Sequence, residues 1–227
     1  SDVDEETLIS NIDSLNLNST VHGILIQLPL PTHINPERVL SRVVLNKDVD
    51  GFHYENIGRL ATNKNPTFKP CTPDGCMELI KKTNIDISGK HAVILGRSNI
   101  VGLPIALMLL HSNATVTICH SKTQNIEEHT KKADIVIAAC GKTEMVKKEW
   151  LKKDAIVIDV GINSVTDETK KRGYRLVGDV DFNNAKDVAS FITPVPGGVG
   201  PMTIAMLMKH TVNACYDSIN DSINDSN

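Results

Sequence analysis

A short glycine-bearing segment is the part of this sequence best suited to binding a phosphate. Gly96 follows the apolar run 92–95, and Gly102 opens an apolar, helix-like stretch six residues later. Such glycines allow a tight turn and a close approach to a phosphate, which the positive end of a helix attracts. The spacing G-x-S-x-x-x-G departs from the common G-x-G-x-x-G, and a turn without a ligand can look the same. The segment therefore indicates a candidate nucleotide site.

The residues after the next apolar run, 115–118, bear on which nucleotide would bind. NAD-binding domains place Asp or Glu here, against the ribose hydroxyls. This chain instead has His120, Ser121 and Lys122. A carboxylate would repel a 2′-phosphate, whereas hydroxyls, Lys122 and Arg97 from the glycine segment would bind one. The pattern favours NADP over NAD, although Arg97 and Lys122 are also consistent with solvated surface charges.

Three further clusters lie outside this region, at 23–31, 47–52 and 193–203. Gln27 is strongly polar within an apolar run, so at a buried strand end its amide would need partners, catalytic or merely backbone-capping. Asp50 precedes Gly51 and is consistent with a simple turn former. The segment 194–201 has three prolines and three glycines, with Pro201 suited to a first helical turn. The glycines in its middle have no side chains and would allow close contact with a flat ligand.

The elements that would position these residues alternate between two patterns. Apolar runs at 92–95, 115–118, 135–138, 156–158, 175–177 and 190–192 are separated by helix-like stretches. This alternation predicts βαβ units on a parallel sheet. Most runs are continuously apolar, as strands covered on both faces must be.

Flanking segments predict further elements. Asp4, Glu5 and Glu6 suit the start of a short helix, 21–28 reads as a buried strand, and 72–83 reads as one linking helix. The helix after Gly102 is predicted to bury Ala106, Leu107 and Leu110 on one side. The helix predicted at 202–215 has one apolar or small face, comprising Ile204, Leu207, Met208, Thr211, Val212 and Cys215. The polar repeat from Ser218 is expected to be disordered.

Composition narrows the classes of partner. A net charge of −3 and 4% aromatic residues provide no basic stripe for nucleic acid. No apolar run approaches the ~18 residues of a membrane span. Five dispersed cysteines without a C-x-x-C pair predict free thiols and no metal, although Cys71 and Cys76 could form half of a metal site.

Eight motifs then occur in a recognisable order: GILIQLPLP, KDVDGF, PCTPDG, GRSNIVGLP, HSKT, VIDVGIN, GDVDF and TPVPGGVGPMT. From about residue 4 to about residue 213 the chain resembles the methylenetetrahydrofolate dehydrogenase/cyclohydrolase family. The resemblance implies NADP-dependent oxidation of 5,10-methylenetetrahydrofolate to the methenyl form, followed by hydrolysis to 10-formyltetrahydrofolate. It also implies two α/β lobes, one with a Rossmann-like doubly wound parallel sheet and a smaller catalytic one, in a homodimer.

The resemblance further implies roles for individual residues. Asp50 would accept two parallel hydrogen bonds from the pterin ring, and Gln27 would hydrogen-bond a catalytic lysine. The implied folate contacts are Ile26, Gln27, Leu28, Asp50, Pro196, Gly197, Gly198, Val199, Gly200, Pro201, Met202 and Thr203. The implied NADP contacts are Gly96, Arg97, Ser98, His120, Ser121 and Ile162.

The chain also departs from the family pattern. The family's lysine lies in a Tyr-x-x-x-Lys motif, but Tyr54, Tyr174 and Tyr216 are followed four residues later by Gly, Gly and Asn. We therefore expect residues 1–75 to form a catalytic lobe without its first segment, 76–198 the NADP lobe, and 199–227 a returning helix with a disordered tail. Cyclohydrolase activity is expected to be weak. A cytoplasmic or organellar location stays open, and a shikimate-dehydrogenase-like enzyme or a non-catalytic nucleotide-binding remnant are the alternatives.

Overall fold

The structure of the protein is a computed structural model, which describes the backbone of residues 3–224 and the side chains of residues 3–220. The chain forms two compact units. Unit 1 comprises the chain up to Cys71 together with the segment from Ala205 onward, and unit 2 comprises Thr72–Ile204. The predicted mixed α/β class with a parallel sheet is confirmed.

The described range contains eight α-helices and seven β-strands. The helices are α1 (Glu5–Leu17), α2 (Pro36–Leu40), α3 (Tyr54–Ala61), α4 (Cys71–Lys82), α5 (Gly102–His111), α6 (Ile126–Thr130), α7 (Phe182–Ala185) and α8 (Val199–Asn224). The strands are β1 (His91–Leu95), β2 (Thr115–Cys119), β3 (Ile135–Ala138), β4 (Ile156–Asp159), β5 (Asn163–Thr166), β6 (Tyr174–Val177) and β7 (Phe191–Ile192). Short 3-10 helices lie at Leu45–Lys47 and Lys148–Trp150.

Unit 2 is built on a five-stranded parallel sheet in the order β2-β1-β3-β4-β7. The chain leaves β1 in one direction to form β2 and later returns to the other side of β1 as β3. The order of strands therefore reverses between β1 and β3, and ligands of such sheets bind at the carboxyl ends of the strands beside that point. The glycine segment follows β1 directly and so lies at this edge.

Both faces of the sheet are covered, which explains the continuous apolar runs. Ile94, Ile137 and Ile158 point to one face, where they pack with α4 and α5 through residues such as Ile80 and Leu109. Their neighbours Val93, Val136 and Val157 point to the other face, with Val146, Leu151, Val180 and Ala185. The alternation of a strand thus places successive apolar residues in two separate cores.

Two predictions for unit 2 were wrong in detail. The run 175–177 belongs to β6, which pairs antiparallel with β5 in a separate two-stranded sheet instead of joining the parallel one. In α5, Ala106 is buried as predicted, but Leu107 is only half-buried and Leu110 is exposed. The sheet covers Ile105 and Leu109 instead. Because α5 is apolar on nearly every side, its pattern could not select the buried face.

Unit 1 begins with the predicted capped helix. Asp4 Oδ1 accepts a hydrogen bond from the Thr7 amide at 2.7 Å, and Glu5 and Glu6 occupy the first turn of α1. At the other end of α1, Lys47 Nζ donates to three backbone carbonyls at 2.6–3.0 Å. A cation at a helix C-terminus stabilises its exposed carbonyls. These contacts tie α1 to the segment that carries Asp48 and Asp50.

The strand predicted at 21–28 is not present. Ile24 and Ile26 are buried alternately, but only Ile24 pairs, in an isolated parallel bridge to Asp48. The 3-10 helix at Leu45–Lys47 precedes Asp48, and a turn closed by Gly51 N–H to the Asp48 carbonyl at 3.0 Å follows it. One residue is therefore left for pairing, too few for a ladder. The Leu28–Pro29 peptide is cis.

Helix α8 is longer than predicted and buries a different face. Met206, His210 and Ala214 are buried, whereas Leu207, Thr211 and Cys215 are half-buried and Ile204, Met208 and Val212 are exposed. The prediction failed because the buried row includes a polar residue, His210. The repeat from Ser218, expected to be disordered, is helical to Asn224, and residues 225–227 lie outside the described range.

Candidate functional site

The glycine segment of unit 2 has a geometry that only glycine permits. Gly96 adopts φ +126°, and a Cβ there would lie 2.1 Å from the Ala139 carbonyl oxygen. A Cβ on Gly102 would lie 2.4 Å from the carbonyl oxygen of Gly96. The first contact presses the loop against the end of β3, and the second presses α5 against the loop. The helix N-terminus is thus held beside the carboxyl edge of the sheet, where an anion is stabilised.

Ser98 organises this helix N-terminus. Its Oγ accepts hydrogen bonds from the amides of Val101 and Gly102 at 3.2 and 3.3 Å. The hydroxyl acts as acceptor in both bonds, so its own proton is the group that it can offer to a ligand. Ser98 is therefore a loop-organising residue as well as a predicted cofactor contact.

A first cavity of about 250 Å³ lies beside this loop and contains most of the predicted cofactor residues. Its lining includes Gly96, Arg97, Ser98, His120 and Ser121. These residues come from the ends of β1 and β2, which are adjacent in the sheet. Lys122, which the sequence placed beside Arg97, is exposed and is not part of this lining.

His120 presents a defined ring nitrogen in the first cavity. Its Nδ1 accepts a hydrogen bond from the Lys122 amide at 3.2 Å. An accepting Nδ1 carries no proton in the neutral ring, so Nε2–H is the available donor. The sequence did not identify Cys140 and Lys142, which follow β3 and also line the cavity. Their signal was only their position after an apolar run.

A second cavity of about 490 Å³ follows β4 and β7 in unit 2. Its lining includes Asp159, Gly161 and Ile162 together with the loop 194–201 and Thr203. Ile162, predicted to line the cofactor, is thus placed here and not in the first cavity. The Val195–Pro196 peptide is cis, and Gly197 adopts φ +104°. Pro201 occupies the first turn of α8, as predicted.

In unit 1, Asp50 is half-buried in a small polar cluster. His210 Nδ1 lies 3.0 Å from the carbonyl oxygen of Val49, and Cys71 Sγ donates to the same oxygen at 3.3 Å. Because that carbonyl only accepts, Nδ1 of His210 must carry a proton. These contacts fix the peptide that carries Asp50.

Burial raises the pKa of the Asp50 carboxyl, and the negative charge of Asp48 acts in the same direction, while the Cys71 thiol and His210 oppose it. Asp48 is itself buried and accepts hydrogen bonds from the amides of Phe52 and His53 and from Asn56 Nδ2. Its role is therefore to hold the turn. Asp50 is the carboxyl of this pair that remains partly open to a ligand.

Gln27 was expected in a buried position, and this was wrong. Its side chain is exposed, and its Nε2 donates to the neighbouring Leu28 carbonyl at 3.1 Å. The missing ladder explains the difference, because an extended segment outside a sheet can turn every second residue to solvent. Ile26 is buried and Leu28 half-buried. The predicted folate residues are thus divided between unit 1, with 26–28 and 50, and unit 2, with 196–203.

Two other features bear on function. All five cysteines are free thiols, and Cys71 and Cys76 lie within helix α4. No group of three or more His, Cys, Asp or Glu side chains in the described range could hold a metal ion. Within residues 3–224, no helix combines the length and the apolar character that crossing a membrane requires.

Comparison with known proteins identifies both parts of the chain. Residues 70–219 match the family model described as tetrahydrofolate dehydrogenase/cyclohydrolase, NAD(P)-binding domain, and residues 1–50 match the corresponding catalytic domain. "Bifunctional protein FolD 2" of Arabidopsis thaliana is 58% identical over 213 residues, covering 93% of this chain and 71% of that protein. Other relatives are named as chloroplastic, cytoplasmic and mitochondrial proteins.

Solved structures agree. The bifunctional FolD methylenetetrahydrofolate dehydrogenase/cyclohydrolase of Campylobacter jejuni is 47% identical with a TM-score of 0.90, covering 95% of this chain and 74% of that one. The Trypanosoma brucei enzyme, described as complexed with NADP cofactor and inhibitor, is 43% identical with a TM-score of 0.92, covering 96% and 74%. The chain therefore belongs to the tetrahydrofolate dehydrogenase/cyclohydrolase family.

Proposed function

We propose that this protein oxidises 5,10-methylenetetrahydrofolate to the methenyl form with NADP and acts in its hydrolysis to 10-formyltetrahydrofolate. The observation that carries the proposal is the glycine-restricted loop at the reversal point of the parallel sheet, in a chain of this family. A shikimate-dehydrogenase-like activity has no such family support. We also propose that the lobe boundaries lie at residues 75 and 198 of the chain and that the protein forms a homodimer through its NADP lobes.

The cofactor would extend along the carboxyl edge of the sheet. Gly96, Gly102 and the α5 N-terminus would hold the pyrophosphate, and the first cavity would hold the adenosine half. Arg97, Ser121 and the His120 Nε2–H are donors suited to a 2′-phosphate. The second cavity, with Ile162, would hold the nicotinamide half. NADP, when bound, supplies the acceptor for the hydride.

The remaining predicted residues would bind and orient the folate. Asp50 would accept hydrogen bonds from the N3–H and the 2-amino group of the pteridine, which lie parallel. The loop 196–203 would exclude water from the reacting face. Hydride transfer mainly requires that the donor carbon be held against the acceptor ring, so binding and orientation are the main tasks of these residues. Gln27, being exposed, has an amide that can reach a second polar group.

A direct test follows nicotinamide reduction by absorbance in a mixture of the protein, 5,10-methylenetetrahydrofolate and NADP. We expect reduction that depends on both compounds and is slower with NAD. Methenyl hydrolysis is measured separately. Reduction with shikimate in place of the folate would support the rival enzyme. Tight NADP binding without reduction would support the non-catalytic remnant.

A further inference from the structure

Two buried aspartates of unit 2 have no role in the function proposed so far. Asp159 is the last residue of β4, and Asp179 follows β6. They are 2% and 0% exposed. Within the described residues neither forms an ion pair, and their partners are N–H groups instead. A buried carboxylate is costly unless hydrogen-bond donors compensate it. The surrounding backbone must therefore place N–H groups around each of these two side chains.

Asp179 holds the loop after β3. Its Oδ2 accepts hydrogen bonds from the amides of Cys140 and Gly141 at 2.7 and 2.9 Å. Its Oδ1 accepts from the Lys142 amide at 2.8 Å and from Asn163 Nδ2 at 2.9 Å. Cys140 and Lys142 line the first cavity. One side chain therefore fixes a wall of the proposed adenosine site.

Asp159 holds the segment that carries Asp179. Its Oδ1 accepts from the Asp179 amide at 2.9 Å and from the Gly161 amide at 3.1 Å, and its Oδ2 accepts from the Val180 amide at 2.9 Å. Asp159 and Gly161 line the second cavity. The hydrogen bonds thus run from the second cavity through Asp159 and Asp179 to the first.

Two glycines leave room for this arrangement reciprocally. A Cβ on Gly178 would lie 1.8 Å from Asp159 Oδ2, and a Cβ on Gly161 would lie 2.2 Å from Asp179 Oδ1. Each glycine lies within two residues of one aspartate and faces the carboxylate of the other. The pair is therefore tightly specified by its surroundings and is not a chance contact of two acidic side chains.

We propose that Asp159 and Asp179 are positioning residues that fix the two cavities relative to each other, so that both halves of one dinucleotide bind at once. This inference rests on the proposed NADP function. Two linked fragments bind far more tightly than either alone only when the two sites are correctly spaced. Disrupting the hydrogen bonds of the aspartate pair should therefore weaken the binding of the whole dinucleotide more than the binding of its fragments.

The test measures by calorimetry the affinities of the protein for NADP and for its adenosine fragment, 2′,5′-ADP. In Asp159→Asn an amide NH₂ replaces one accepting oxygen. The change disrupts the hydrogen bonds between Asp159 and the segment that carries Asp179, with little change in side-chain size. We expect NADP affinity to fall about 10-fold and that of 2′,5′-ADP less than about 3-fold, a signature of lost linkage. Asp187→Asn, an exposed aspartate of the same unit, is the matched control and should change neither affinity.

If Asp159→Asn fails to fold, which the absence of a cooperative unfolding transition would show, a milder variant provides the same test. Asn163→Ala removes one donor to Asp179 from a half-buried position and should shift the ratio of the two affinities in the same direction, by about 3-fold. A lower melting temperature with an unchanged ratio would show a merely structural role and overturn the inference. Failure of the unaltered protein to bind NADP would instead refute the proposed function.

Discussion

Arg97→Ala tests the cofactor preference with little structural disturbance. Arg97 is exposed, and within the described residues its guanidinium makes no hydrogen bond or ion pair, so its removal breaks no such interaction. A charge-assisted hydrogen bond contributes about 1.5–3 kcal/mol, and solvent at an exposed site favours the lower value. About 1.5 kcal/mol corresponds to about a 10-fold loss of NADP affinity. NAD lacks the 2′-phosphate, so its affinity should change less than about 2-fold.

Affinities for NADP and NAD are best measured by calorimetry at one fixed ionic strength, because phosphate contacts are sensitive to salt. Arg172→Ala is the matched control. It removes the same charge from an exposed position between β5 and β6, outside both cavities, and should leave both affinities within about 2-fold. A difference between the two variants therefore reports a contact of Arg97 and not the net charge of the protein.

Two results would contradict a contact between Arg97 and the 2′-phosphate. An equal loss of NADP and NAD in Arg97→Ala would mean that the residue supports the loop and does not read the phosphate. An equal loss in Arg172→Ala would mean that long-range attraction dominates.

Three further predictions follow from the geometry. Asp50→Ala should weaken folate binding at least about 10-fold while NADP affinity stays within about 2-fold, because only the charge-assisted hydrogen bonds to the pteridine are lost. Calorimetry with both ligands measures this, and equal losses would count against the role of Asp50 in folate binding. Gly96→Ala should abolish NADP binding because its Cβ meets a backbone oxygen, whereas Gly58→Ala, with open space around it, should not. Burial chiefly, with Asp179, raises the pKa of Asp159 from 3.8 to about 6. The stability of the unaltered protein relative to Asp159→Asn should therefore be highest below pH 3.8 and fall by about 3 kcal/mol as pH rises through 6, as denaturant titrations would show; a pH-independent difference would contradict it.

The parallel sheet could be predicted because its strands carry the evidence themselves. Strands β1, β3 and β4 are apolar on both faces, so each stands out in the sequence as a continuous apolar run. The predicted runs therefore agree with the observed strands to within one residue at each end. The glycine segment could also be predicted, because Gly96 and Gly102 stand at the junction of an apolar run and a helix-like stretch. The Ala139 carbonyl oxygen that restricts Gly96 is distant in sequence and could not be predicted.

Features that depend on distant partners could not be predicted. Whether 21–28 forms a strand depends on how many residues pair with it, and the exposure of Gln27 follows from that pairing. The buried face of α8 includes His210, whose partner is the Val49 carbonyl, 161 residues away. The aspartate pair joins segments 20 residues apart, and nothing in the sequence of either segment indicated that the two would be hydrogen-bonded. Spacing within one segment did not indicate these contacts.

A crystal structure of the protein soaked with NADP tests the proposed cofactor site most directly. We expect the pyrophosphate at the 96–102 loop, the 2′-phosphate beside Arg97, His120 and Ser121, and the nicotinamide in the second cavity with Ile162. A nucleotide bound away from the carboxyl edge of the sheet, or a first cavity without the adenosine half, would contradict it.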